Sequence, residues 1–233
     1  FVVVGAGGTI VSSSNGTLWT LKTSSTTNDL NGITFANSTF VAVGNSGTIL
    51  TSSDGSTWAS RTSGTNITLY GITYGNSIFV VTPSVISGNI MTSSNGTSWS
   101  TGASSPSCCL YGVTYGNSTF VGMGGNDIRI SSDNGTNWTS ISGGSYNIRD
   151  VTYGNNTFVG VGNSGTIITS SDGSSWTSRT SGTSYNLRGI NYVNSTFIAV
   201  GESGTILISS DGITWSSRTS GTSNDLYGVS YKE

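Results

Sequence analysis

Few side chains in this 233-residue sequence are suited to catalysis. Histidine is absent, and the 8 basic and 10 acidic residues make up only 8% of the chain. Without imidazole there is no Ser-His or Cys-His nucleophile pair and no His-ligated zinc. The two cysteines, Cys108 and Cys109, are adjacent, so they cannot join distant segments; a strained ring, two free thiols and a bond to a partner all remain open.

Two related segments carry side chains suited to binding. Tyr146-Asn147-Ile148-Arg149 and Tyr185-Asn186-Leu187-Arg188 place a tyrosine three residues before an arginine. Tyrosine stacks on sugar rings, and arginine and asparagine form hydrogen bonds to hydroxyl or carboxylate groups. We therefore take Tyr146, Arg149, Tyr185 and Arg188 as candidate ligand contacts.

Composition limits the possible partners. The net charge is −2 and no basic run occurs, which leaves nothing to neutralise a row of phosphates or an anionic bilayer. No stretch approaches the roughly 18 apolar residues of a membrane span. Ser, Thr, Asn and Gly account for 135 residues, which excludes a long helical protein. We predict no nucleic acid partner and no membrane insertion.

A repeat of about 39 residues organises the whole chain. The period is marked by six tryptophans, 38 to 41 residues apart, and by six phenylalanines that open segments of the form F-V-x-V. The repeats begin near Phe1, Phe40, Phe79, Phe120, Phe158 and Phe197. Each contains four short strand-like runs bounded by Gly and Asn, and an Asn-Gly or Asp-Gly pair before the fourth run predicts a two-residue hairpin there.

Four antiparallel strands per repeat predict an all-β fold, a six-bladed β-propeller of four-stranded blades in one domain, residues 1–233. A right-handed superhelix is the alternative, but its coils are shorter, about 20 to 30 residues. The chain starts on a second strand, Phe1 to Val4, and ends after a first strand, Leu226 to Tyr231. The C-terminal strand is therefore expected to complete the N-terminal blade and close the ring.

The turn before each tryptophan resembles the Asp-box, S-x-D-x-G-x-T-W, of sialidases, sortilin-type receptors and a photosystem assembly factor. Residues 131–138 match nearly every position, and the other copies are one residue shorter. In this interpretation the acidic or amide side chain bonds to the amides of its own turn while the tryptophan packs beneath, so the box is structural. The box residues are Asn15, Trp19, Asp54, Trp58, Asn95, Trp99, Asp133, Trp138, Asp172, Trp176, Asp211 and Trp215.

The sialidase resemblance would require three clustered arginines, a Tyr-Glu pair and an acid/base aspartate. Arg61, Arg179 and Arg218 instead recur at one repeat position, and the glutamates are Glu202 in a hairpin and Glu233 at the terminus. No carboxylate pair for glycoside hydrolysis can be nominated. We expect no enzyme activity, no catalytic residues, no cofactor and no metal, since hard oxygen ligands are not clustered.

The third and fourth repeats depart from the pattern. The third has two extra residues between its phenylalanine and tryptophan, and this repeat holds both prolines and both cysteines of the chain. The fourth replaces Gly-Asn-Ser-Gly in its second hairpin. A specific contact and unselected drift both remain open. The candidate contact residues are Thr82, Pro83, Val85, Ile86, Cys108, Cys109, Met123, Asn126 and Asp127.

These observations favour a non-catalytic recognition propeller, extracellular or on a cell or virion surface, that binds glycans or a surface protein. The alternatives are a structural or decoration subunit with self-association, an assembly scaffold as in the photosystem factor, and a glycosidase-like enzyme. Nine N-x-S/T triplets occur, about what this composition gives by chance, so N-glycosylation stays open.

Overall fold

A computed structural model describes residues 1–83, 88–104, 109–141 and 144–229. The strands form six antiparallel sheets, one for each repeat period, because the short Val-, Ile- and Phe-rich runs alternate with turn residues. After the first, each sheet begins with the last strand of the preceding repeat. Contacts divide the chain into two compact units. Among the described residues, the first comprises Phe1–Leu110 and Asn134–Asn137, and the second comprises Tyr111–Asp133 and those after Asn137.

The first unit contains three sheets, ordered β1-β2-β3, β4-β5-β6-β7 and β8-β9-β10-β11. Their strands are β1 (Val2–Val4), β2 (Ile10–Ser12), β3 (Thr20–Lys22), β4 (Leu30–Ala36), β5 (Thr39–Gly44), β6 (Ile49–Ser52), β7 (Ala59–Arg61), β8 (Leu69–Gly75), β9 (Ile78–Pro83), β10 (Asn89–Ser93) and β11 (Ser100–Ser104).

The second unit also contains three sheets, each of four strands, ordered β12-β13-β14-β15, β16-β17-β18-β19 and β20-β21-β22-β23. Their strands are β12 (Gly112–Gly116), β13 (Thr119–Gly124), β14 (Asp127–Ser131), β15 (Thr139–Ile141), β16 (Ile148–Gly154), β17 (Thr157–Gly162), β18 (Ile167–Ser170), β19 (Thr177–Arg179), β20 (Leu187–Val193), β21 (Thr196–Gly201), β22 (Ile206–Ser209) and β23 (Ser216–Arg218).

The N-terminal sheet has three strands where the other five have four. Residues 226–229, the described part of the expected C-terminal strand, belong to no strand, and residues 230–233 lie outside the described part of the chain. The six-sheet repeat is therefore observed, while hydrogen-bonded closure of a ring is not found among the described residues.

The two-residue hairpin occurs at a different turn from the predicted one. Between the first and second strands, pairs such as Asn76-Ser77 both have positive φ, which suits a tight type I′ connection. The prediction that Asn-Gly or Asp-Gly forms this turn is wrong, because six residues separate β6 from β7 around Asp54-Gly55. Side-chain hydrogen bonds rather than a tight turn shape that wider loop.

Short 3₁₀ turns join β1 to β2 in the N-terminal sheet and the second strand to the third in three other sheets. They span Ala6–Gly8, Asn45–Gly47, Asn163–Gly165 and Glu202–Gly204. The link to the next sheet folds back on this turn: Asp29, Asn186 and Asp225 each accept a hydrogen bond from the middle amide of the 3₁₀ turn before it. Links and 3₁₀ turns therefore lie on the same side of their sheets.

The apolar core of each unit lies between consecutive sheets. In the second unit Val159 and Val161 of β17 pack with Leu187 of β20 and Phe197 of β21. In the first unit β5 packs on β8 and β9 in the same way. The repeated tyrosine supports this packing, since a side chain at Gly116 would collide with the Tyr153 ring.

Candidate functional site

The box turns share one hydrogen-bond network. In the turn after β18, Ser170 Oγ accepts the Gly173 amide at 2.8 Å and donates to Asp172 Oδ1, which accepts the Ser174 and Ser175 amides. The Trp176 indole donates to Gly173 O at 2.8 Å. These bonds hold the pKa of Asp172 below its ordinary value, chiefly through the Ser175 amide. The carboxylates at these turns serve as hydrogen-bond acceptors within the loop.

Asparagine fills the same role in two repeats. Asn95 Oδ1 accepts the Thr97 and Ser98 amides, both at 2.9 Å, and the Ser93 hydroxyl donates to it. Asn15 makes the corresponding bonds after β2. The network therefore needs a side-chain oxygen rather than a charge.

The structure buries four of the residues proposed as contacts in the third and fourth repeats. Thr82 and Pro83 lie inside β9, and Met123 packs in the core beside Ile148. Asp127 is 7% exposed and forms an ion pair with Arg129 at 3.0 Å. Their side chains pack or pair within the fold and do not form an exposed contact surface.

The other contact residues of those repeats are scattered. Val85, Ile86 and Cys108 lie outside the described residues. Cys109 is half-buried. Asn126 is exposed in the β13–β14 turn, where its Oδ1 accepts the Asn147 amide at 3.1 Å. Asn126 is therefore hydrogen-bonded to the segment that contains Tyr146 and Arg149.

The two predicted arginines lie at equivalent places in the second unit. Arg149 and Arg188 are the second residues of β16 and β20, each at an irregularity in strand register that directs the side chain. The Arg149 guanidinium lies 5.3 Å from the centre of the Tyr111 ring, and that of Arg188 lies 5.9 Å from the Tyr227 ring. We call Tyr111, Arg149, Arg188 and Tyr227 the Arg–Tyr cluster.

Polar partners fix both arginines from the neighbouring 3₁₀ turns. Arg149 Nε donates to Asn163 Oδ1 at 3.0 Å, and Arg188 donates to Glu202. Hydrogen bonding from Asn186 lowers the pKa of Glu202 below its ordinary value, although desolvation opposes this shift. Arg188 keeps 26% side-chain exposure, and its buried Nε has no hydrogen-bond partner among the described residues. Arg188 therefore keeps a partly exposed guanidinium side chain beside the Tyr227 ring.

The two predicted tyrosines are not part of this cluster. Tyr146 is half-buried against the core between the sheet that begins with β12 and the sheet that begins with β16. Tyr185 is 50% exposed on the link before β20, three residues from Arg188. The sequence identified the arginines and Tyr185 but missed Tyr111 and Tyr227, which occupy the repeat position of the arginines themselves. Aligning the position after the repeated leucine would have found them.

Asp150 is a further residue that sequence reasoning missed. It stands in β16 where the other five repeats have glycine: Gly32, Gly71, Gly112, Gly189 and Gly228. Its Oδ2 accepts the Ile190 amide of β20 at 3.0 Å, and its Oδ1 accepts the Val151 amide at 2.9 Å. Burial raises the pKa of Asp150 to about 6, although the two hydrogen bonds act to lower it. The sequence could have identified Asp150, because it is the one residue other than glycine at this repeat position.

No group of three or more potential metal-ligating side chains occurs in the described part of the chain. No described helix is long and apolar enough to cross a membrane.

The comparisons with known proteins show the fold. No family model and no curated protein sequence matches the chain. Solved structures of β-propellers do match, so the six-sheet repeat defines a β-propeller fold.

Three structures illustrate this similarity. YCF48 bound to D1 peptide has a TM-score of 0.71 at 17% identity, covering 93% of this chain and 76% of that one. YCF48 from Cyanidioschyzon merolae has a TM-score of 0.72 at 16% identity, covering 97% and 83%. A nidogen/laminin complex has a TM-score of 0.68 at 11% identity, covering 97% and 95%.

Proposed function

We propose that this chain is a non-catalytic recognition propeller that binds a segment of a partner protein at the Arg–Tyr cluster. The supporting observation is a pair of equivalent arginines, each stacked on a tyrosine and held by a side chain from a 3₁₀ turn. Preorganised arginine and tyrosine are the residues that dominate binding energy in protein interfaces. The Arg188 side chain, which is 26% exposed, is suited to donate to a carbonyl or carboxylate oxygen of the partner.

Structural neighbours support the protein-partner form of this proposal. One was solved with a bound peptide and another comes from a protein complex. A glycan is the second candidate, favoured by the exposed Tyr185 ring beside Arg188. A location outside the cell or on a surface accords with the charge-poor, Ser- and Thr-rich composition.

Absence of catalysis is part of the proposal. Four of the aspartates are acceptors in box turns, and Asp127 is paired with Arg129. Asp150 is held by two backbone amides. General acid catalysis would need a carboxyl group free to approach substrate, and these carboxylates have structural partners instead.

Photo-crosslinking in the source cells tests the binding site. A photoreactive benzoyl-phenylalanine replaces Tyr185, which is exposed, and the crosslinked product is identified by mass spectrometry. We expect one defined protein adduct that is lost in R149A/R188A and kept in R61A/R179A. The control arginines lie on the outer strands β7 and β19 and donate to threonines of the adjacent strand, Arg61 to Thr51 and Arg179 to Thr169.

Two outcomes would contradict the proposal in different ways. An adduct that survives R149A/R188A would place binding elsewhere. Binding to an oligosaccharide array that depends on Arg188, without a protein adduct, would favour the glycan candidate instead.

We also infer that the C-terminal segment completes the first sheet and closes a ring of six blades. Leu226 N donates to Gly201 O at 2.9 Å, as Leu30 N donates to Gly5 O at 3.1 Å where β4 begins. A side chain at Gly189 would collide with the Tyr227 carbonyl, just as a side chain at Gly32 would collide with the Tyr70 carbonyl. The segment thus leaves the last sheet along the path of a first strand, and the first sheet lacks one.

Deletion of residues 226–233 tests closure. We expect a large drop in melting temperature, because a first strand and its packing are lost. A variant that lacks only Glu233 is the control. An unchanged melting temperature in the longer deletion would contradict closure.

A structural subunit is the third candidate function, on one observation that applies only if the ring does not close, because the equivalents of Val3 and Val11 in the second sheet, Ala42 and Leu50, are buried. Val3, Val11 and Leu21 are paired across the first sheet and form an apolar row, with Val3 48% and Leu21 70% exposed. The outer-strand position of Leu21 is Ser60 in the second repeat. Concentration-dependent sedimentation that is abolished by L21S would support self-association through this row.

A further inference from the structure

Asp150 connects the strands that carry the two arginines of the Arg–Tyr cluster. It directly follows Arg149 in β16, and the Ile190 amide it accepts lies two residues after Arg188 in β20. The other five repeats have glycine here, and glycine offers no side chain to make such a bond. This side-chain bridge from β16 to β20 is therefore specific to the sheet that begins with β16.

The surroundings of Asp150 are close-packed backbone. A side-chain carbon at Gly112 of β12 would come within 2.8 Å of Asp150 Oδ1. β12 and β20 both pack against β16, so the carboxylate lies among three first strands. Removing a carboxylate from water is costly unless hydrogen-bond donors compensate for the lost hydration. Here the donors are the Val151 and Ile190 amides.

We propose that Asp150 is a positioning residue for the Arg–Tyr cluster, a protonatable bridge that fixes β20 against β16 and thereby sets the spacing of Arg149 and Arg188. The proposal rests on the proposed function of that cluster. Asp150 acts through the two strands, since both its oxygens bond to backbone amides rather than to the arginines.

The bridge has a built-in dependence on pH. The ionised carboxylate accepts both amides, whereas protonation weakens it as an acceptor. Because burial raises the pKa of Asp150 to about 6, this change falls near neutral pH. The ionisable groups on the three strands are Tyr115, Arg149, Tyr153, Arg188 and Tyr192, with Tyr111 just before β12. β13 and β17, which also pack on these strands, carry no ionisable side chain.

Nuclear magnetic resonance of the full chain tests the bridge without a partner. In the wild-type protein we expect the Ile190 amide and the Arg149 and Arg188 Cζ resonances to shift together, with a midpoint near pH 6. In D150N, and in D150G, which restores the glycine of the other repeats, we expect all three shifts to disappear. An Ile190 amide that titrates while the arginine resonances stay still would overturn the positioning role, and so would an absence of titration at all three.

Photo-crosslinking through position 185 provides the functional readout. The adduct yield should fall several-fold between about pH 7.5 and about pH 5 in wild type and stay constant in D150N. A pH-independent yield in wild type would overturn the positioning role while the proposed function stands. If no variant forms an adduct at any pH, the proposed function fails, and the arginine resonances alone decide whether Asp150 sets their positions.

Discussion

The start of the first strand differs between the two units in chemistry but not in geometry. In the first unit Asn31 of β4 donates to Asn45 Oδ1 at 3.0 Å. At the same repeat position in the second unit, Arg149 donates to Asn163 Oδ1, also at 3.0 Å. The shared acceptor at the head of the 3₁₀ turn holds either donor. The repeat thus supplies a fixed frame, and a single residue decides whether the place carries an amide or a cation.

The box turns show the opposite behaviour. Asp54 in the first unit and Asp172 in the second accept the corresponding amides at 2.8 to 2.9 Å. The box turns, which are alike in the two units, build the fold. The starts of the first strands, which differ, are where we propose that a partner is recognised.

The largest expected effect concerns the shared frame. Phe79→Ala in the first unit and Phe158→Ala in the second each remove a fully buried ring that packs on a tyrosine and a tryptophan. Each should lower the free energy of unfolding by about 3–5 kcal/mol. Denaturant titration measures both. Costs that differ by more than the measurement error would show that the two units do not share one frame.

A smaller and again equal loss is expected at the box serines. Ser52→Ala and Ser170→Ala each leave a buried glycine amide, Gly55 or Gly173, without its acceptor. Such a group costs about 1–3 kcal/mol. Ser52→Thr keeps the hydroxyl and serves as the control in the same denaturant titration. Full stability of Ser170→Ala would argue against the side-chain lock.

The box and the bridge should respond to acid in opposite directions. Hydrogen bonds from Thr57 and Ser56 lower the pKa of Asp54 to about 2, so its stabilisation is complete above about pH 4 and is lost as pH falls toward 2. Asp54→Asn should reduce that acid sensitivity, since Asn95 already forms the network without a charge. Thermal melts across this pH range measure the effect.

Asp150 has the contrary sign. Because its pKa in the folded chain is about 6 against 3.8 unfolded, the folded state binds the proton more tightly, and stability rises as pH falls from about 7 to about 4. Asp150→Asn should remove this rise. A wild-type stability that stays flat across this interval, while Asp54→Asn behaves as expected, would contradict the raised pKa of Asp150.

The smallest effect on stability is expected where the units differ. Asn31→Arg should change the free energy of unfolding by less than about 0.5 kcal/mol, because the site is exposed and Asn45 offers the acceptor that Asn163 offers to Arg149. Arg149→Ala should be similarly mild but should abolish crosslinking at position 185. A strongly destabilised Asn31→Arg would show that the two frames differ locally.

The six-sheet repeat could be predicted from the sequence because its pattern of residues occurs six times. Recurrent phenylalanine, tryptophan and glycine gave the number of sheets and the strand order within each. Sequence reasoning misplaced the two-residue turn, since Asp54-Gly55 satisfies the same pair preference as a tight hairpin while side-chain bonds to Asp54 open the loop to six residues.

The candidate site was recovered only in part. Arg149 and Arg188 were visible because two related segments place an arginine three residues after a tyrosine, but their stacking partners come from different repeats and follow from packing. Departures in the third and fourth repeats pointed to Thr82 and Met123, which proved to be buried. A break in a repeat marks a changed environment, and only the fold tells whether that environment is inside or outside.

The box hydrogen bonds also bear on the chemical ageing of the protein. Asparagine followed by glycine deamidates when the glycine nitrogen attacks the asparagine side chain. In the turns at Asn15 and Asn95 that nitrogen donates to a serine hydroxyl at 2.8 Å, while the asparagine oxygen is held by two other amides. The lock therefore restrains both reacting groups. An ordinary aspartate product would find the same donors that already serve Asp54, whereas an isoaspartate product, with an extra carbon in its backbone, would not fit the turn.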